Sequence, residues 1–181
     1  NGFMNMAIDE AIAIACDKQL SPPTLRLYTW NPPCISIGYF QDVDEVIDIS
    51  ECKRYGIDIV RRLTGGKAVL HNKELTYSII SPSKNDIFSN GIKGSYKAIA
   101  DCLLHGIKNL GISGEITERP SRKGNGFSCF LDTSFYEISV KGKKLIGSAQ
   151  KRWKNLFLPH GAIIMSPPHT QRASLLRFNN E

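Results

Sequence analysis

The chain has 181 residues, of which 41% are hydrophobic and 22% charged, enough to bury a core of ordinary density in one catalytic-sized domain over residues 1–181. No run approaches the roughly 18 consecutive apolar residues of a membrane span, and residues 1–6 carry neither the basic head nor the apolar stretch of a secretion signal, so a soluble protein without a membrane partner is expected. The formal net charge of +6 favours acidic partners by long-range steering, but no aromatic RNA-recognition motif or Cys/His finger spacing accompanies it, so nucleic acid is not expected among them.

Residues 6–16 are alanine-rich with apolar side chains at helical spacing, which predicts an opening helix with Asp9 and Glu10 near its positive end. Pro22 and Pro23 end it, and residues 25–28 and 34–38 alternate as two strands of a hairpin around Asn31-Pro32-Pro33. Residues 44–55 read as a short helix closed by Gly56, and residues 57–60 as the strand that delivers Arg61 and Arg62. Further on, Ile99, Leu103 and Ile107 recur at four-residue spacing, which predicts a helix over 96–109 capped by Ser95 and closed by Gly111. Residues 118–126 are polar, basic and glycine-rich, a mobile surface loop leading into Ser128-Cys129. Residues 135–140, 144–149 and 156–165 then read as three strands joined by Lys141-Gly142-Lys143 and Lys154-Asn155.

The segment from Arg61 to His71 holds two adjacent glycines, Gly65 and Gly66, between strand-like runs with cations on both sides. Double glycine is a common hairpin dipeptide, so a plain turn is one reading. A turn needs neither the arginine pair, nor Lys67, nor His71, whereas backbone that approaches an acyl group or a phosphate closely needs glycine and a cation nearby. The five cysteines are an odd set without a CxxC pair, which argues against a zinc ribbon or a complete disulfide framework and for a reducing compartment. Cys16 and Cys102 fall in helical stretches and are expected to be buried as small hydrophobes. His71, His105, His160 and His169 lack paired spacing, so no metal site is expected.

The run RRLTGGKAVLHNKELTYS, residues 61–78, resembles the glycine-rich motif of the biotin/lipoate protein ligase superfamily, and within it the cysteine-dependent octanoyltransferases that start lipoate synthesis. Ligases of that superfamily usually carry a third glycine where this chain has Lys67, and a Gly-Asn continuation where it has residues 74–78. A second block, Ser128-Cys129-Phe130 followed by residues 136–140 and 142–150, resembles the same branch, and the likeness runs over residues 4–164. It implies an α+β fold, a mixed and mostly antiparallel sheet flanked by helices. It also implies transfer of an octanoyl group from acyl carrier protein to a lysine of a lipoyl domain or glycine-cleavage H protein, without ATP or any cofactor, in the cytoplasm. The site residues it implies are Cys129 as the acylated nucleophile and Lys144 as its cation, with Arg62, Thr64, Gly65, Gly66, Lys67, Ala68, His71, Gly147, Ser148 and Ala149 binding substrate.

The chemistry agrees with that assignment, and each residue also has a plainer reading. A free thiol is only a few per cent thiolate at neutral pH, so a catalytic cysteine needs a neighbouring cation. Lys144 lies one hairpin beyond Cys129, and Lys143 beside it must point to the opposite face. By residue type alone Cys129 is a small buried hydrophobe, Lys144 a solvated side chain, and Gly147-Ser148-Ala149 a tight sheet crossing. His71 is either a hydrogen-bonding residue that shapes the pocket or a general base; His160 borders the same sheet without an assigned role. Two other functions fit the motifs: an ATP-dependent lipoate-protein ligase, in which residues 64–67 cradle an adenylate phosphate, and a non-catalytic module that binds lipoyl domains or acyl carriers.

Overall fold

The computed structural model describes residues 1–88, 91–117, 135–166 and 175–176. Asn1 accepts the Met4 amide through its side chain and starts helix α1, Gly2–Asp17, ahead of the alanine-rich run. Asp9 therefore lies mid-helix and not at the positive end. Its carboxylate is 2% exposed, turns toward the sheet, and accepts from Arg26 Nη1 at 2.6 Å, Ser78 Oγ at 2.8 Å and Tyr28 Oη at 3.0 Å. Burial, and then the Asp9 charge, push the Tyr28 phenol well above its ordinary range, so it stays a donor in this cluster. Asp9→Ala would leave the Arg26 guanidinium bonded to Asn5 without its counter-charge and take the shared acceptor from the Tyr28 and Ser78 hydroxyls. It is expected to destabilise the fold by about 3–5 kcal/mol, read as a lowered urea midpoint; an unchanged midpoint would show that the cluster does not hold α1 in place.

The strands form two sheets. The larger is antiparallel throughout: β1 (Thr24–Tyr28), β5 (Glu74–Pro82), β9 (Leu156–Ile164), β8 (Lys143–Arg152), β7 (Ile138–Val140) and β6 (Glu115–Ile116), in that order across the sheet. The smaller has β2 (Cys34–Ile37) between β3 (Asp58–Arg61), its parallel neighbour, and β4 (Val69–His71), its antiparallel one. This is the mostly antiparallel α+β arrangement expected from the resemblance.

One local expectation fails, and one alternative reading falls with it. β1 and β2 do not pair as a hairpin, because β1 joins β5 while β2 crosses into the other sheet. All four β2 residues are buried, so it needs a partner on each edge and cover on each face, which a two-stranded hairpin cannot supply. Nor is the double glycine a hairpin turn: β3 and β4 flank β2 on opposite edges, and residues 62–68 loop around the end of β2.

The helices need smaller corrections. Residues 43–54 form two short helices, α2 (Val43–Val46) and α3 (Ile49–Arg54), separated where Ile47 is extended and bridges Leu176. Helix α4 runs Gly91–Asn109, so Ser95 is inside it, bonding back to the Gly91 and Phe88 carbonyls instead of capping. Cys102 is exposed because it lies off the Ile99, Leu103, Ile107 stripe; Cys16 is buried as expected.

α4 covers one face of the large sheet, where Tyr77, Ile99, Ile107, Ile138, Ile146 and Phe157 make a core cluster. α1 packs on the opposite face, its Asp9 reaching Arg26 and Ser78. On that opposite face the register aligns two cross-strand rows: Tyr28, Thr76, Ala162, Gly147, and beside it Arg26, Ser78, His160, Ala149. From β1 to β8 is three strand spacings, about 14 Å. Those rows floor the site.

Candidate active site

Above the first row lies a groove whose walls include Trp30, Ser36, Arg62, Val69 and His71. Its floor is small near β8 and β9, at Gly147, Ala149, Gly161 and Ala162, and bulky at the far end, where Tyr28, Trp30 and Met6 meet. Ser148 also borders it, while its hydroxyl bonds Tyr77 Oη at 2.7 Å beneath the floor. Gly161 is required there: a Cβ would come within 2.6 Å of the Tyr77 ring and 2.7 Å of the Gly147 carbonyl oxygen.

Arg62 lines one wall and holds the glycine segment behind it. This guanidinium is 4% exposed and donates to Ser36 O at 2.9 Å, Ser36 Oγ at 3.1 Å, Gly65 O from both Nε and Nη2, and Lys67 O at 2.7 Å. Arg62 thus divides its fork of donors between the loop backbone and Ser36 of β2. Behind the loop, Gly38 leaves the space that Gly66 fills at φ 97°; a Cβ on Gly38 would lie 1.9 Å from the Gly66 oxygen. Gly38→Ala is therefore expected to push the loop off Arg62 and to cost about 1–3 kcal/mol by overpacking, measured by chemical denaturation. A parent-like midpoint would mean that the loop moves freely.

His71 is 6% exposed and stacks on Trp30 with centroids 3.9 Å apart. Its Nδ1 meets Glu74 Oε1, and its Nε2 lies 2.7 Å from Ser36 Oγ. A carboxylate only accepts, which places the hydrogen on Nδ1; Ser36 can then donate to Nε2 while accepting from Arg62. Trp30 Nε1 closes the network on Thr76 Oγ1 at 2.8 Å. Thr64 is fully buried, with Oγ1 2.7 Å from His160 Nε2. Burial, then the nearby Arg62 and His71, push His160 down to about 3, so it meets Thr64 as a neutral ring. Ala68 points away from the groove into the cluster of Ile35, Ile37 and Val46, and Val69 takes its place on the wall.

Lys144 stands just beyond Gly147. Register slips between Ile138 and Ser139, leaving Leu145 as the extra residue in β8. Leu145 and Ile146 both pack toward α4, so Lys144 shares a face with Gly147 three positions on. A Cβ at Gly147 would lie 2.7 Å from Lys144 Cε, so the lysine lies across that glycine. Its Nζ is 2.6 Å from Glu137 Oε1, with both side chains at most 5% exposed. Lys143 is exposed, on the outer face. Cys129 lies outside the described residues.

The groove brings Arg62, His71, Gly147, Ser148 and Ala149 together, with Thr64, Gly65, Gly66 and Lys67 behind or beside the wall and Lys144 at the β8 end. Sequence reasoning missed Ser36, Trp30, Glu74, Thr76 and Glu137. Glu74, three residues after His71, carried a local signal; the others become neighbours only through cross-strand pairing. Among the described residues no group of three or more His, Cys, Asp or Glu side chains could hold a metal ion.

A groove with an apolar end at Tyr28, Trp30 and Met6, and a buried lysine–carboxylate pair beyond its β8 end, is the candidate active site of this domain. The chain belongs to the family of the lipoyl protein ligase A/B catalytic domain, whose model matches residues 1–181. It is 44% identical to the octanoyltransferase LipM of Carboxydothermus hydrogenoformans over 99% of this chain and 67% of that protein. With the octanoyltransferase LipM of Clostridioides difficile it shares 47% over 91% of this chain and 62% of the other. A lipoate-protein ligase A bound with ATP superposes with a TM-score of 0.78 at 27% identity, covering 98% of this chain and 68% of that one. A bi-partite lipoate-protein ligase from Thermoplasma acidophilum, studied with its E2 lipoyl domain, gives 0.74 at 25%, covering 98% and 62%. The chain thus spans about two thirds of the length of these relatives.

Proposed function

We propose that this chain transfers an octanoyl group from acyl carrier protein to a lysine of a lipoyl domain or H protein, in the cytoplasm, through a Cys129 thioester. The observation that supports the reading is the groove: the buried Lys144–Glu137 pair lies across Gly147 beyond its β8 end, and small residues lead across the sheet to an apolar end at Trp30, Tyr28 and Met6. An acyl carbonyl placed beside Lys144 would send its alkyl tail along that floor.

In the first step the Cys129 thiolate attacks the carrier thioester carbonyl, and collapse of the tetrahedral adduct expels the carrier thiolate, which takes up a proton. In the second, the acceptor lysine's amine attacks the acyl-cysteine, loses a proton as the amide forms, and returns the Cys129 thiolate. The Lys144 ammonium stabilises the thiolate and the developing oxyanion. Both bonds broken are thioesters, so no nucleotide is needed. The other described cysteines support the choice of Cys129. Burial, with the charge of Asp58 adding to it, pushes the Cys34 thiol up to about 12; burial first and then Asp48 push Cys52 up to about 11; burial also raises Cys16; and Cys102 is on α4, outside the groove.

Intact-protein mass spectrometry after mixing with octanoyl carrier protein is expected to show one added octanoyl group, mapped to Cys129 and lost on adding a lipoyl domain. Modification that appears only with free lipoate, ATP and magnesium would establish the ligase reading instead.

A further inference from the structure

We propose that Glu137 is a positioning residue for this transfer: its carboxylate anchors the Lys144 ammonium across Gly147, at the end of the groove where the acyl carbonyl must react. The inference rests on the reading of Lys144 as the reactive-end cation.

Lysine usually extends its four-carbon stem until the ammonium reaches water, and holding it elsewhere costs about 2 kcal/mol of side-chain freedom. Here the side chain is 5% exposed and folded back over its own strand, toward a carboxylate that is 4% exposed. Such a pair contributes little net stability, because desolvating both charges offsets their attraction. Its effect is geometric: one oxygen, 2.6 Å from Nζ, selects one direction for a flexible chain.

The backbone around Glu137 is built to aim that oxygen. Tyr136, just before it, sits at φ 63°, a left-handed conformation that costs a non-glycine residue about 1 kcal/mol or more. Two backbone hydrogen bonds to Thr117 hold the distortion in place, Tyr136 N to Thr117 O at 2.9 Å and Thr117 N to Glu137 O at 2.8 Å. The bulge at Leu145 performs the matching turn on β8, bringing Lys144 to the face of Gly147. Two local irregularities on neighbouring strands therefore converge on one ion pair. Gly147 completes it, since a side chain there would meet Lys144 Cε at 2.7 Å and Glu137 Oε1 at 3.8 Å.

Glu137→Gln keeps the shape and removes the charge. Steady-state transfer from octanoyl carrier protein is expected to show kcat lowered on the order of 100-fold, with KM for the donor within about twofold, because the tail groove is untouched. In a Lys144→Met background the same replacement is expected to lower the residual kcat no further, since Glu137 acts through the lysine. Carbamylation of Lys144 by cyanate, followed by peptide mass spectrometry, is expected to run several-fold faster in Glu137→Gln, because the amine is no longer held by its carboxylate. A purely structural brace between β7 and β8 predicts instead that the two losses multiply and that KM rises; that pattern, or a parent-like kcat, overturns the proposal. If the parent chain moves no octanoyl group at all, the transfer reading falls, and a cyanate rate at Lys144 equal to the parent's independently overturns the hold of Glu137 on it.

Discussion

Cys129→Ser is expected to abolish octanoyl transfer, with a loss on the order of 1,000-fold or more, while the protein unfolds at the parent's temperature. A serine hydroxyl stays un-ionised at neutral pH even with a cation for a neighbour, so neither the attack on the carrier thioester nor the acyl-enzyme can form at a useful rate. The measurement is single-turnover transfer together with intact mass. The absence of any acylated species in the variant, against a full equivalent in the parent, is the expected result. Transfer at a near-parent rate would remove Cys129 from the mechanism.

Lys144→Met carries the second large effect, about 100-fold in kcat, and its diagnostic readout is the thiol. In the proposed mechanism the Lys144 ammonium favours the Cys129 thiolate, so its removal is expected to move the alkylation profile of Cys129 upward by about one pH unit. The sign follows from charge: the replacement destabilises the ionised form, and more hydroxide is needed to reach the same reactive fraction. Lys144→Met also takes the ammonium away from a buried carboxylate, so a stability loss of about 3–5 kcal/mol is expected beside the loss of activity, and thermal unfolding separates the two. A profile that overlays the parent's would show that the two side chains do not interact, and would leave Lys144 a role at the acyl carbonyl alone.

Several features were legible before any fold was known, for local reasons. The stripe of Ile99, Leu103 and Ile107 specifies the buried face of α4, and residues 156–165 read correctly as the strand β9. Lys141-Gly142 supplies the two positive-φ residues that a tight turn between β7 and β8 requires, at 49° and 71°. The glycine segment, His71 and the Gly147 block were marked as binding candidates by residue type and by a motif resemblance, and Arg62, His71, Gly147, Ser148 and Ala149 border one groove.

What went unread depends on contacts between residues far apart in the chain. Nothing near Ser36 announces that its hydroxyl will lie between His71 and Arg62, and nothing near Gly38 announces that Gly66 will rest on it. The β1–β2 hairpin expectation failed because alternation identifies a strand without identifying its partner. The extra residue at Leu145 is likewise invisible to a period-two pattern, yet it decides that Lys144 shares a face with Gly147. The amino-acid sequence by itself determined the element types, the buried faces and the chemical groups available for acyl transfer, since each follows from a residue and its near neighbours. Only the tertiary structure decided the two-sheet division, the alignment of Tyr28, Thr76, Ala162 and Gly147 into a groove floor, and the pairing of Lys144 with Glu137, because register, bulges and desolvation exist only once distant strands are packed together.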